Sequence, residues 1–326
     1  MTRERSGRGV ASALVFAPET ILVVMIVVTI LVFGAIRPSF LTMPSLANLA
    51  ISCAFVGIIA IGQTLLLVSG EFDLSVGAVA GLASVVGAMT IVFAGQPIWV
   101  GFAVCLGVGL FAGAFNSFCV VLLGLPSFIT TIAVLFIASG LALAITNGDP
   151  VFPLPTGLTD FGSATPLGLS WMFLIFVVLG VAADFVVRRT AFGRKMLATG
   201  GDRSVAEFVG IRTGWIKVSA FVACSVLAAL AGFLQTAAQF TAQPTTGTGA
   251  ELTAIAAAVI GGTSVFGGSG SPLGTMLGVV FLTVATTGLV SIGLGANWQT
   301  ALVGIVLISA IAVDAWRRRR RGVRTS

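Results

Sequence analysis

Residues 68–77 read VSGEFDLSVG and lie between two long apolar runs. The stretch carries two carboxylates, Glu71 and Asp73, in a chain in which only 9% of the residues are charged. A short polar interruption between apolar runs predicts the point where one long helix ends and the next begins. The apolar runs decide the fold, and the two acidic residues require an explanation of their own.

Composition places the chain in one fold class. Of its 326 residues 57% are hydrophobic, and its mean hydropathy is +1.11, whereas about a quarter of the residues of a soluble domain are charged. Runs of roughly 20 mostly apolar residues recur along the whole chain, and each is long enough to cross a bilayer as a helix. The sequence therefore predicts an all-α polytopic membrane protein in which residues 1–326 form a single transmembrane domain.

The residue types present exclude several kinds of chemistry. The chain has no histidine and no tyrosine, so acid–base catalysis and metal ligation by histidine are excluded. Its cysteines lie inside apolar runs without the spacing of metal ligands, and we expect them to be small packing residues. They are Cys53, Cys105, Cys119 and Cys224. With no nucleophile–base arrangement in the pattern, we expect neither an enzyme nor a bound cofactor or metal.

Almost all basic residues fall into three groups, which predict the topology. Short segments rich in lysine and arginine stay on the cytoplasmic side of a membrane. Segments 1–19, 188–216 and 316–326, and with them both termini, are therefore predicted to be cytoplasmic. The last group directly follows an apolar run, which favours topology anchoring over nucleic-acid binding. The groups are Arg3, Arg5 and Arg8; Arg188, Arg189, Arg194, Lys195, Arg203, Arg212 and Lys217; and Arg317, Arg318, Arg319, Arg320, Arg321 and Arg324.

About ten spans satisfy this topology, with six before the second basic group and four after it. The first is read as a retained span rather than a cleaved signal peptide, because no small-residue cleavage site follows it. The eighth is short and glycine-rich, which predicts a broken or re-entrant helix. The predicted spans are 20–36, 48–68, 74–94, 98–123, 127–146, 171–187, 216–240, 252–266, 272–290 and 297–315.

The segment 147–170 is predicted to lie outside the cell. It reads NGDPVFPLPTGLTDFGSATPLGLS and is rich in proline, glycine, aspartate and threonine, which indicates a loop rather than a helix. Its prolines make it stiff, so it suits either the docking of a partner or a plain connection between spans.

Two parts of the chain resemble each other. DLSVGAVAGLASVVGA begins at Asp73, and ELTAIAAAVIGGTSVFGG begins at Glu251; each is followed by a proline, a span, a break and a span. On the predicted topology Asp73 lies on the cytoplasmic side and Glu251 on the outer side. Such an inverted repeat is typical of transporters, although chance likeness between membrane helices is the alternative. The motif residues are Asp73, Ser75, Gly77, Glu251, Gly261 and Gly262.

Two roles are open for the acidic residues of the repeat. A carboxylate at the start of a helix caps free N–H groups and faces the favourable end of the helix dipole. An ionisable group within a membrane can also couple transport to protons or cations. The capping role is favoured for both Asp73 and Glu251.

The second basic group contains a recognisable helix signal. In FGRKMLATGGDRSVAEFVGI, residues 192–211, Asp202 is placed to cap a short helix over 203–209, which Gly210 ends. That helix is amphipathic, with Val205, Ala206 and Val209 opposite its charged residues. A short helix of this kind on the cytoplasmic side suits a docking element.

Several segments between about residues 48 and 290 carry a family resemblance. EFDLSVGA, NSFCVVLLGLPSFITTIA, FGRKMLATGGDRSVAEFVGI and AIAAAVIGGTSVFGGSGSPLGT together resemble the membrane (permease) subunit of bacterial ABC importers of the ribose/xylose monosaccharide type. That family commonly has Gly-Gly or Gly-Ile before its DLS motif, where this chain has Glu71-Phe72. Glu71 is therefore a departure from the pattern, and the sequence assigns it no role.

The resemblance implies a function and a set of partners. Such permeases sit in the bacterial inner membrane, pair as dimers, bind ABC ATPase subunits inside, and receive a monosaccharide or related polyol from an external solute-binding protein. Segment 198–211 would be the ATPase-coupling loop. The chain has no G-x-x-x-x-G-K-[ST] phosphate loop of its own, which agrees with ATP hydrolysis by a partner. The coupling residues would be Gly201, Asp202, Arg203, Val205, Ala206, Gly210 and Ile211.

Polar or aromatic residues in or beside spans are candidates for the substrate pathway. They are Gln63, Asn116, Phe128 and Gln235. Two other functions stay open: a secondary transporter coupled to ions through Glu71, Asp73 or Glu251, and a passive channel for small polar solutes. Besides its protein partners we expect the chain to contact membrane lipid and no nucleic acid.

Overall fold

The chain folds as a bundle of helices. The computed structural model describes residues 18–320, and within that range it contains thirteen α-helices and no extended strand. The helices are α1 Pro18–Ile36, α2 Met43–Val68, α3 Val76–Val92, α4 Ile98–Ser117, α5 Ser127–Thr146, α6 Thr156–Ser163, α7 Trp171–Arg189, α8 Ala191–Gly201, α9 Arg203–Phe208, α10 Thr213–Gln239, α11 Ala250–Ile260, α12 Pro272–Ser291 and α13 Ala296–Arg320. Residues 1–17 and 321–326, which include most of the predicted terminal segments 1–19 and 316–326, lie outside the described residues.

Eight described helices are long and apolar enough to cross a membrane, and two shorter apolar helices lie at two more of the about ten predicted spans. The predicted third span is α3, of 17 residues, and the eighth is α11, of 11 residues. At about 1.5 Å per residue, α11 covers only half of a hydrocarbon core of about 30 Å. Each short helix begins after a non-helical segment: residues 69–75 precede α3, and residues 240–249 precede α11. Because these residues are not helical, too few remain for a helix that crosses the whole membrane.

The longest helix within residues 18–320, α10, packs against α2, α3 and α4 through small residues. A Cβ added at Gly62 of α2 would lie 2.9 Å from Cys224 Cα, and one at Gly113 of α4 would lie 2.7 Å from Val222 Cα. Gly232 lies against the Ala80 carbonyl oxygen of α3. Small residues allow helix backbones to approach closely, which is how helices associate where lipid removes the hydrophobic driving force.

Two cysteines, Cys105 and Cys224, lie at these helix contacts. All four cysteines are buried with free thiols. Cys105 donates its S–H to the Ala229 carbonyl oxygen, 3.3 Å away, across the contact of α4 and α10.

The first turns of α3 and α11 lie against each other. A Cβ added at Gly77 would collide with the Gly247 carbonyl oxygen and with Glu251 Oε2. The prediction that the two motifs begin at opposite faces of the membrane is therefore wrong, because both helices start inside the bundle. Glu251 lies in the first turn of α11 rather than before it, and Gly249 is the N-cap residue.

From this contact, α3 and α11 run in opposite directions. α3 ends beside the start of α4, where Gly101 packs against Ile91. α11 ends beside the start of α12, where Gly261 lies against the backbone of Gly274 and Gly262 turns the chain at φ 91°. The second half of α4 packs on the first half of α10. α10 in turn contacts α8 and α9. The start of α4 is thus remote from the basic segment 188–216, whereas the start of α12 is close to it.

The segment 147–170 is partly helical, which corrects the expectation of a loop. α6 occupies eight of its residues, with Leu158 buried and Phe161 stacked on Trp171 at 6.2 Å between ring centroids. Leu158 and Phe161 are three positions apart and therefore share one face of the helix. Proline does not prevent this helix, because Pro155 lies at the N-cap position. Backbone hydrogen bonds of 2.9 and 3.2 Å also tie Val151 to Ala242 beyond α10.

We expect the close approach of α3 and α10 to limit stability. Gly232→Ala places a methyl group on the Ala80 carbonyl oxygen, so the backbones must separate at a cost of about 1–3 kcal/mol. The purified variant should therefore melt at a lower temperature in detergent. Gly140→Ala, at an exposed position of α5 with no neighbour, should melt at or slightly above the parent temperature because alanine favours helix. Equal melting of both variants would contradict this packing.

Candidate functional site

α9 is a capped helix at the end of the bundle that carries the second basic group, here called the basic end. Asp202 Oδ1 accepts from Ser204 N at 2.9 Å, Ser204 Oγ at 2.6 Å and Val205 N at 3.1 Å. These bonds, that of the Ser204 hydroxyl first, hold the pKa of the Asp202 carboxyl below its ordinary value. Gly210 follows the helix at φ 82°, and Ile211 N donates to the Ala206 carbonyl oxygen at 3.0 Å. α9 is one residue shorter than the predicted 203–209.

The apolar face of α9 points away from the bundle. Phe208 is 92% exposed, and Val209 and Val205 are 66% and 57% exposed. Ala206 is buried instead, so the predicted face of Val205, Ala206 and Val209 is not a single surface. Phe208, the most exposed large apolar residue in the described part of the chain, is absent from the predicted set, although its place at the end of α9 could have revealed it.

A chain of side-chain contacts joins α9 to the first turn of α10. Arg203 Nε donates to Glu207 Oε1 at 2.8 Å, and the Thr213 hydroxyl donates to the same oxygen at 2.6 Å. The Thr213 bond first, and Arg203 second, lower the pKa of the Glu207 carboxyl. The short helix therefore has a fixed connection to the helix at the centre of the bundle.

At the end of α8, the backbone contacts the backbones of the segments that precede α3 and α12. We call this contact the glycine junction; its residues are Val68, Gly70, Gly200, Gly201 and Gly268. Gly268 N donates to the Val68 carbonyl oxygen at 3.1 Å. A Cβ added at Gly200 would collide with that same oxygen, and one at Gly268 would lie 2.6 Å from Gly201 Cα. The junction brings the segment before α9 into contact with the chain breaks that precede α3 and α12.

Glu71, to which the sequence assigns no role, forms an ion pair with Lys217 on α10. Glu71 Oε1 lies 2.5 Å from Lys217 Nζ, and both side chains are only 12–13% exposed. A charge pair held this far from solvent is far more constrained than an exposed one, and removing one partner leaves the other charge uncompensated. The pair connects the break before α3 to the second turn of α10.

Asp73 is fully buried, and hydrogen-bond donors from three helices surround its carboxylate. Oδ1 accepts from Ser75 N at 2.7 Å and Ser75 Oγ at 2.5 Å. Oδ2 accepts from Asn116 Nδ2 at 3.0 Å on α4 and from Ser225 Oγ at 3.5 Å on α10. Gln63 of α2, with its amide oriented to satisfy its neighbours, bonds both the N–H and the carbonyl oxygen of Asp73. Ser75, rather than Asp73, is the N-cap residue of α3.

A cavity of about 570 Å³, here called the threonine cavity, lies among α2, α10, α11, α12 and α13. Its volume falls in the range of small-molecule sites. None of its lining residues is ionisable, and the start of α11 at Gly249 and Ala250 borders it. Its polar lining consists of Ser52, Gln235, Thr245, Thr248, Thr253, Thr283, Thr286, Thr287, Gln299 and Thr300.

Only one of the four predicted pathway residues lines the threonine cavity. Gln235 does so, and its buried Oε1 has no hydrogen-bond partner among the described residues. Gln63 and Asn116 belong to the Asp73 contacts instead, and Phe128 lies at the basic end. Sequence reasoning missed the threonines, although Thr283, Thr286 and Thr287 have the spacing of one helix face; these residues could have been found from that pattern.

An apolar cluster touches the linings of the threonine cavity and of a smaller cavity. The cluster contains Phe72, Leu74, Ile255, Val259 and Leu307, and Leu307 also lines the threonine cavity. Phe72 contacts the Phe128 ring at 6.2 Å between centroids. A cavity of about 320 Å³ at the basic end is lined by Phe128 together with Glu71, Arg203 and Lys217. Side chains from the break before α3, from α11 and from α13 therefore touch lining residues of both cavities.

Comparisons with known proteins agree with this architecture. Residues 45–311 match the family described as branched-chain amino acid transport system / permease component. The ribose import permease RbsC of Escherichia coli is 33% identical over 298 residues, covering 89% of this chain and 92% of that protein. RbsC of Bacillus subtilis is 35% identical over 295 residues, covering 88% and 89%.

A relative with a different named solute is equally similar. The autoinducer 2 import permease LsrC of Salmonella choleraesuis is 34% identical over 290 residues, covering 88% of this chain and 83% of that protein. No solved structure matches the chain. Family, relatives and the long apolar helices together make this chain a multi-pass bacterial inner-membrane protein that belongs to the permease family of sugar-type ABC importers.

Proposed function

We propose that the chain imports a neutral monosaccharide or related polyol by alternating access, driven by a separate ABC ATPase. The observation that carries the proposal is α9, a capped helix with an exposed apolar face. Val205 and Phe208 of α9, and Val209 directly after it, are mostly exposed among the described residues. An unpaired apolar face on a rigidly held helix is typical of a protein-docking element.

The threonine cavity supports the substrate class. Hydroxyl and amide groups can replace the hydrogen bonds that a polyol makes to water, and the absence of ionisable lining residues disfavours a charged solute. Ribose and autoinducer 2, which the relatives' names give as their solutes, are the first candidates.

The coupling route that we infer has two branches. Closure of the ATPase would move α9 and, through Glu207 and Thr213, the first turn of α10. The Glu71–Lys217 pair would then carry this movement to the break before α3. The glycine junction would transmit movement of α8 to the breaks before α3 and α12, because touching backbones cannot absorb a shift by side-chain rearrangement.

The short helices α3 and α11 start at their contact near Gly77 and Gly247 and run in opposite directions from it. This arrangement suits an inverted repeat in which α3 and α11 are corresponding elements. In this proposal the basic end is cytoplasmic, and the apolar cluster around Phe72 is the closed inner gate below the threonine cavity. Rocking of the two repeats would separate Phe72 from Phe128 and open the cavity inward.

The partners follow from the same arrangement. Segment 147–170, which is held on the end of α10 by α6 and the Val151–Ala242 bonds, is proposed to face the solute-binding protein. A second permease copy would complete the complex, and the ATPase would bind α9.

Ion-coupled transport and passive conduction are the competing functions. In a cell with the chain, its cognate ATPase and its binding protein, uptake of radiolabelled ribose or autoinducer 2 should require all three proteins and resist an uncoupler. Uptake that collapses with the uncoupler would favour ion coupling. Uptake that needs no ATPase would favour a channel.

We expect the cap of α9 to be required for coupling. Asp202→Lys removes the acceptor of three hydrogen bonds and places a cation at the positive end of the helix dipole. Uptake should fall at least tenfold at an unchanged membrane level, and Gly210→Trp should do the same because its φ is unfavourable for a bulky residue. Asp202→Asn, which also caps helices, is the matched control and should retain most uptake. Normal uptake by Asp202→Lys would contradict the coupling role.

The Glu71–Lys217 pair should show charge complementarity. Glu71→Lys leaves two unpaired cations in a nearly closed site, at a cost of about 3 kcal/mol or more, and should lower both uptake and melting temperature. Glu71→Lys/Lys217→Glu restores opposite charges and should recover most of both. If the double variant is as impaired as the single one, the pair does not act as proposed.

Asp73 should serve structure rather than proton transfer. Asp73→Asn can keep the Ser75 bonds, and rotation of the Asn116 amide turns its unpartnered Oδ1 toward the new N–H donor. This variant should retain most uptake, whereas Asp73→Ala leaves several buried donors unpaired at about 1–3 kcal/mol each and should fail to accumulate. Complete loss of uptake in a stable Asp73→Asn protein would revive proton coupling.

A further inference from the structure

A cavity of about 620 Å³ opens at the basic end between α8 and the start of α10. Its lining includes Phe192, Lys195, Ile211, Arg212, Trp215 and Ser219, and no lining residue is acidic. Lys195 and Arg212 are exposed, and neither forms an ion pair within residues 18–320. Two unpaired cations therefore border one concave surface, which we call the Trp215 cavity.

A second, apolar depression lies against the same tryptophan. This groove, of about 410 Å³, is lined by Phe118, Val121, Leu122 and Val218 together with Trp215. Trp215 is 70% exposed, as is Leu122. The groove follows the end of α4, the π-helical turn Phe118–Leu122 that continues it, and the start of α10. Both belong to apolar segments long enough to cross a membrane, Ile98–Leu122 and Thr213–Gln239.

We propose that the Trp215 cavity and the groove form one binding site for an anionic phospholipid of the cytoplasmic leaflet. Lys195 and Arg212 bind the phosphate, an acyl chain fills the groove, and Trp215 lies at the level of the headgroups between them. Basic pockets beside membrane helices on the cytoplasmic side suit such headgroups, and tryptophan is enriched at that depth. The assignment rests on the proposed orientation of the basic end and not on the transported solute.

A lipid fits this surface better than a protein partner does. The groove extends along membrane-spanning residues of α4 and α10, where a water-soluble ATPase has no access. The bound lipid would fix the corner between α8 and α10, the two helices that flank α9. It would thereby hold the docking helix at a constant height above the membrane.

Native mass spectrometry of the full-length chain in detergent tests the site. We expect dioleoylphosphatidylglycerol to bind more tightly than dioleoylphosphatidylcholine. Lys195→Gln/Arg212→Gln should weaken binding of the anionic lipid about tenfold or more, since each cation near the surface contributes roughly a fivefold change. Arg189→Gln/Arg194→Gln removes two exposed charges from the same segment outside the cavity, and it should change binding less than about twofold.

Three results would overturn the proposal. If both double variants bind the anionic lipid equally weakly, the lipid is attracted to basic charge in general and not to a defined site. Equal binding of the two lipids by the parent chain would mean that the headgroup is not recognised. Loss of the lipid when the ATPase assembles would make the cavity a protein-docking surface. None of these results bears on uptake, so the site and the transport function can fail separately.

Discussion

The buried carboxylate of Asp73 is the constraint on which the arrangement of the helices depends. A carboxylate without exposure is costly unless its oxygens are hydrogen-bonded, and here the donors come from the start of α3, from α4 and from α10. Gln63 adds α2 by bonding the Asp73 backbone. Satisfying this one group therefore fixes four helices relative to each other, and it places the start of α3 inside the bundle instead of at its surface.

Close backbone contact extends that constraint to the basic end. The glycine junction leaves no side chain between α8 and the breaks before α3 and α12, which favours movement of these segments as one unit. The Glu71–Lys217 pair adds a polar connection beside it. Glu71 thus belongs to the proposed coupling route, and its neighbour Phe72 belongs to the apolar cluster.

Local rules allowed part of this structure to be predicted. Asp202 and Gly210 mark the ends of α9 because capping depends on residues within one helical turn. α6 was missed because proline and glycine dominate its segment, whereas its burial depends on packing against α10. The partner of Glu71 is 146 positions away, and Gln63 and Asn116 face Asp73 rather than a cavity. Such contacts arise from tertiary packing, which the periodicity and composition of the sequence do not predict.

The central claim is that α9 lies in the cytoplasm, where an ATPase can bind its apolar face. Phe208→Cys gives a thiol at a 92% exposed position, while the four native cysteines are buried. Treatment with a membrane-impermeant maleimide tests the claim directly. Labelling should occur in inside-out vesicles, should be absent in intact cells, and should decrease when the ATPase is added. Labelling of intact cells from outside would contradict the account.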